Sequence, residues 1–126
     1  MSTYASCNLI NCTHHNIRVQ NTEGGLVCIP PHGEYSPRVD EEYTTVLQLR
    51  CDESTFNVRE HYFNETVGLP PARNDGTMFI VSKMVAEANP LRRDLIFVSK
   101  SYSFNGVRAC EAFAQWPLPK EEEVVE

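Results

Sequence analysis

The sequence predicts a mainly β chain, a β-rich α+β fold forming a compact antiparallel barrel or sandwich with one short helix after a central strand. Three observations carry this. Short β-branched and aromatic runs alternate with turn formers along most of the length. One segment, Gly68 to Asp94, passes from a strand-like run directly into a helix-like one. Asn105-Gly106, between Tyr102-Ser103-Phe104 and Val107-Arg108-Ala109, is a strong two-residue hairpin signal, because both turn positions need the positive φ that Asn and Gly tolerate.

The elements follow in order. Leu9-Ile10-Asn11 begins the ordered chain. Ile17-Arg18-Val19-Gln20 alternates apolar and polar, Asn21 to Gly25 is dense in turn formers, and Leu26 to Ile29 completes a hairpin. Pro30-Pro31-His32-Gly33 ends it, since two prolines cannot donate to a ladder. Tyr35 to Val39, interrupted by Pro37, suits an edge or crossing segment. Thr44 to Arg50 and Thr55 to Tyr62 read as an antiparallel pair around the turn Cys51-Asp52-Glu53-Ser54. Gly68-Leu69-Pro70-Pro71 and Asn74-Asp75-Gly76 bracket a loop, and Thr77 to Val81 has the composition of a buried strand. Ser82 stands at a helix N-cap, Met84, Val85 and Ala88 form an apolar stripe, and Pro90 stops the helix after Asn89. Leu95 to Ser99 is a further strand, and Cys110 to Trp116 extends the last one. Residues 1–8 are expected to form a flexible arm, 9–119 a single globular domain, and 120–126 a disordered acidic tail.

The totals narrow the function. A chain of 126 residues, 41% hydrophobic, is one domain long and buries roughly two thirds of its unfolded surface. A net charge of -6 offers no broad positive field, which argues against non-specific nucleic-acid binding but leaves a local arginine cluster able to hold a small anion. No apolar run approaches the roughly 20 residues of a bilayer span, and the N-terminus lacks the features of a signal peptide. A soluble, cytoplasmic protein without a membrane partner is expected. The five cysteines form no C-x-x-C pair, which predicts reduced thiols, most of them small core residues. No cofactor fingerprint is present. A metal is not expected either, because neighbouring histidines in extended chain point apart and no His-x-His or His-x-x-x-His spacing occurs. A homo-oligomer is compatible with this composition.

Several motifs stand in a recognisable order: Asn11-Cys12-Thr13-His14-His15-Asn16-Ile17, then Ile29-Pro30-Pro31-His32-Gly33, then Gly68-Leu69-Pro70, Gly76 to Ser82 and Arg92-Arg93-Asp94. Over most of the domain this resembles a small family of bacterial and bacteriophage proteins typified by Asn-Leu-Thr-Pro-His followed by an apolar strand. His14 departs from the pattern by replacing the usual proline, and the proline that usually follows the Arg-Asp pair is missing. The resemblance implies a shared fold and a phage or prophage setting. The family has no settled activity, so the resemblance implies no reaction.

Asn11, Thr13 and His15 place an amide, a hydroxyl and an imidazole in one loop, a set suited to a ligand clamp or to acid-base work near neutral pH. The same residue types also bond local backbone in turns. Arg92 and Arg93 offer two-point recognition of a phosphate or carboxylate, with Asp94 orienting a guanidinium; alternatively, an Arg to Asp pair pins the loop. The leading expectation is a non-enzymatic binding protein for a polar or anionic small ligand, such as a nucleotide derivative, with His15, Arg92, Arg93 and Asp94 around one concavity. A small hydrolase or isomerase using His15 and Asp94, and an assembly protein without a ligand, are the alternatives.

Overall fold

A computed structural model describes residues 7–119. The expected tail at 120–126, and the first six residues of the expected arm, lie outside the described residues. Among the described residues eight strands and one helix follow one another: β1 (Leu9–Asn11), β2 (Ile17–Gln20), β3 (Leu26–Ile29), β4 (Glu41–Cys51), β5 (Ser54–Phe63), β6 (Met78–Ile80), α1 (Lys83–Ala88), β7 (Leu95–Phe104) and β8 (Val107–Ala114). The chain is mainly β, and six strands form a nearly closed, barrel-like sheet in the order β1-β6-β7-β8-β2-β3. β4 and β5 make a separate two-stranded ribbon.

The hairpins β2–β3, β4–β5 and β7–β8 are antiparallel, as short turns require. The unit β6-α1-β7 is different. A strand that returns through a helix must run parallel to its start, and β6 pairs in parallel with both β7 and β1, while β8 meets β2 in parallel at Val19 and Cys110. The sheet is therefore antiparallel at its hairpins and parallel around its centre.

β6 organises the interior. Phe79 and Ile80 are 0% exposed and Val81 is 2% exposed. Successive strand residues face opposite sides, so Phe79 and Val81 pack with Val85 and Ala86 of α1, Ile10, Leu95 and Phe97, whereas Ile80 joins Ile17, Val19, Ile96 and Cys110. Burial on both faces explains why the run is apolar without alternation. Asp75 starts it: its carboxylate accepts from the Thr77 hydroxyl and backbone N–H, which hold it below the usual carboxylate range. At the other end Ser82 Oγ accepts from Val85 N–H at 3.2 Å, which caps α1, and Asn89 closes it.

β7 runs on as one strand from Leu95 to Phe104, where the sequence suggests two pieces. Lys100 marks the join. It takes a φ of 51°, between the paired positions Ser99 with Ala112 and Ser101 with Cys110. The Asn105-Gly106 turn has φ of 50° and 78°, as a tight two-residue hairpin needs.

The ribbon springs from a narrow neck. Arg38 and Val67 exchange two backbone hydrogen bonds of 2.9 Å, and Asn64 N–H donates to Asp40 C=O at 2.9 Å. Gly68 lies beside this neck with a φ of 79°, and a Cβ there would come within 3.0 Å of Ser36 O, so only glycine fits without strain.

Candidate cavity at the barrel mouth

The two edge strands of the sheet, β1 and β3, meet without a regular ladder. Asn11, at the end of β1 and 1% exposed, joins them. Its Nδ2 donates to Ile29 O at 3.0 Å and to His15 O at 2.8 Å, while its Oδ1 accepts from Thr13 N–H at 2.9 Å and from the Thr13 hydroxyl at 2.6 Å. Both amide protons and both acceptor directions are thereby used, which satisfies a fully buried amide. His32 N–H donates to Asn11 O at 2.9 Å across the same seam. The loop from Cys12 to Asn16 is folded around this one side chain.

That loop forms one wall of a cavity of about 460 Å³, within the range of small-ligand sites. Thr13, His15 and Arg18 line it from the loop and β2, Ser82 and Lys83 from the start of α1, and Ser101 and Arg108 from the β7–β8 hairpin. Ile17, Val81, Phe97, Val98, Ala109 and Cys110 supply the apolar surface. Among the described residues no carboxylate lines it. Three basic side chains and an imidazole thus surround an apolar floor in a protein of negative net charge. Lys83 is partly engaged, with its ammonium 5.4 Å from the Trp116 ring centroid, which leaves Arg18 and Arg108 as the principal anion donors. Burial pushes the Cys110 thiol above its ordinary range, so at neutral pH it contributes an uncharged, apolar surface.

The residues expected to share one concavity divide into two sets. Thr13 and His15 line the cavity, and Asn11 holds their loop from beneath. Arg92, Arg93 and Asp94 are not among its lining residues, and their polar groups have partners elsewhere. Arg92 Nε and Nη2 donate to the two Asp94 oxygens at 2.8 and 2.9 Å, and Nη2 also donates to Pro70 O at 2.8 Å. The Asp94 carboxylate beside it raises the Arg92 pKa further. Arg93 Nη1 donates to Trp116 O at 2.8 Å and Nη2 to Gln115 Oε1 at 3.0 Å, while Gln115 Nε2 returns to Arg93 O at 2.6 Å. These arginines tie the helix exit to the Pro70 loop and to the end of the chain's last strand. Arg73, in its exposed loop, donates to Tyr35 Oη at 3.1 Å.

Arg18, Lys83 and Arg108 carry no local sequence signal of a site. Arg18 occupies a polar phase of an alternating strand, which ordinarily faces solvent, and Arg108 stands just past a hairpin turn. Only the curvature of the sheet brings both to one mouth. His14, the neighbour of His15, turns away to place Nε2 3.1 Å from Ser36 Oγ. Among the described residues no three His, Cys, Asp or Glu side chains cluster as a metal site would require, and no helix is long and apolar enough to cross a membrane. No family model, curated protein or solved structure matches the chain.

Proposed function

We propose that the protein binds a small anionic ligand, of the size and chemistry of a nucleotide derivative, in the cavity beside the Asn11 to His15 loop. The observation that carries this reading is the composition of that cavity, in which, among the described residues, cationic and neutral donors surround an apolar floor without a carboxylate. The guanidinium groups of Arg18 and Arg108 are suited to a phosphate or carboxylate, each through two parallel N–H donors. Thr13, His15 and Ser101 add hydrogen bonds, and Phe97 with Ile17 and Val81 offers surface for an apolar or aromatic remainder. Ser82, the one serine beside the helix, uses its oxygen as a cap, and Asp94 is engaged by Arg92 rather than by His15. Binding without turnover is therefore the reading that uses these residues best. With the phage-type resemblance it extends to sequestration of a nucleotide.

A thermal-shift screen of nucleoside phosphates, cyclic nucleotides and sugar phosphates tests it. A ligand at a hundred times its dissociation constant should stabilise by about 2.7 kcal/mol. The double variant R18A/R108A should lose that shift while melting like the wild type without ligand. Absence of any shift across the panel, or a shift undiminished in the double variant, would defeat the reading.

A further inference from the structure

The polar lining of the barrel mouth continues past Arg108. A second cavity, of about 350 Å³, lies along the outer part of the β7–β8 hairpin and is lined by Ser101, Tyr102, Ser103, Gly106 and Arg108. Ser101 and Arg108 line both cavities, so the two meet along these side chains. Strand pairing explains the continuity. Residues paired across antiparallel strands share a face, and Ser101 pairs with Cys110 while Ser103 pairs with Arg108. Cys110 is buried with Ile17, Val19, Ile80 and Ile96. Outward from that core, the same face presents Ser101 and then Ser103 beside Arg108.

The backbone takes an uncommon conformation to build this row. Strict alternation from Phe97 would put Ser101 on the face of the cluster that contains Val85 and Ala86, yet its partner Cys110 belongs to the other cluster. Lys100 lies between them with a φ of 51°, a value rare for a residue other than glycine, asparagine or aspartate, and marks where the strand exchanges faces. The chemistry also changes across Arg108. On one side Ile17, Val81 and Phe97 offer apolar surface; on the other, hydroxyl side chains line the cavity and no aliphatic one does among the described residues. A guanidinium only donates, whereas a serine hydroxyl both donates and accepts, as the hydroxyls of a sugar do.

We propose, resting on the anion-binding reading above, that the two cavities together hold a nucleoside diphosphate that carries a sugar on its distal phosphate. The base lies on the apolar floor, the two phosphates meet Arg18 and Arg108, and the sugar lies against Ser101 and Ser103. Two guanidinium groups match two phosphates, each through paired N–H donors. A nucleoside monophosphate ends at the arginines and leaves the hydroxyl-lined cavity unused. Among the described residues that cavity holds one cation, Arg108, which it shares with the first, so the group beyond the pyrophosphate is neutral rather than a further anion.

Calorimetric titration of the full chain with UMP, UDP and UDP-glucose, and with AMP, ADP and ADP-glucose, tests this. In at least one base series the diphosphate sugar should bind about tenfold or more tightly than the diphosphate alone. Ser103 is exposed and lines the second cavity but not the first. Ser103→Leu fills that cavity with an aliphatic side chain and should remove the gain while leaving diphosphate affinity unchanged, which also reports that the variant is folded. Ser103→Thr keeps the hydroxyl and should keep the gain. Diphosphate sugars that bind no more tightly than diphosphates in both series, or a gain that survives Ser103→Leu, overturn the proposal and leave the anion-binding reading standing. Failure of every nucleotide to bind overturns that reading, and the proposal falls with it.

Discussion

Asn11 carries more of the structure than its length suggests, because one amide closes the seam between two edge strands and folds the loop that walls the cavity. Replacing it with Ala strands the Ile29 and His15 carbonyls and the Thr13 donors, which should cost roughly 2–4 kcal/mol in urea unfolding. Arg92 invites the opposite comparison with Arg18. Arg92→Ala removes a partly buried link among Asp94, Pro70 and the helix exit and should lower stability by about 1–3 kcal/mol without weakening ligand binding. The Cys12 thiol gives a pH signature. Burial pushes it from 9.0 up to about 11. A folded-state value above the unfolded one stabilises fully below about pH 9 and is lost as pH rises toward 11, so the wild type should lose stability over that window more steeply than Cys12→Ala. Thiol labelling separates the same residues by position. Cys7, Cys28 and Cys51 are exposed and should react in the native protein, whereas Cys12 and Cys110 are buried and should react only on unfolding.

At the scale of elements, β6 and α1 were the most legible part of the chain. An apolar run buried on both faces, a serine cap and a proline stop are local signals, and each has a local cause. Phe79, Ile80 and Val81 amides should exchange slowly, and Ile80→Ala should cost about 2–5 kcal/mol, measured by chemical denaturation. The ribbon pairing was equally readable, but its isolation was not. Alternation in Thr55 to Tyr62 says that one face is apolar and is silent on whether the same chain covers it. The site was legible only in part for a similar reason. Thr13 and His15 belong to a loop whose composition is unusual, while Arg18 and Arg108 reach the cavity through long-range strand order, β8 beside β2, that no local pattern encodes.

At the scale of the whole molecule, the described residues join the barrel and the ribbon at the neck, where Asn64 N–H donates to Asp40 O. Removing Glu41–Phe63 and closing the gap with a short turn should leave the thermal transition of the barrel cooperative, as differential scanning calorimetry would show, whereas Gly68→Ala at the neck should destabilise it by about 1 kcal/mol or more. The neck also constrains how such a chain can diverge. An insertion whose two ends emerge side by side can change length without moving its host, but side chains on a strand alternate with a period of two. Adding two residues to each strand of the ribbon keeps its apolar stripe continuous; adding one to each exchanges the faces beyond the insertion. Viable length variants should therefore differ in even steps per strand, and the bulge at Val46, where β4 already carries one residue more than β5 between paired positions, is the place where an odd step can be absorbed.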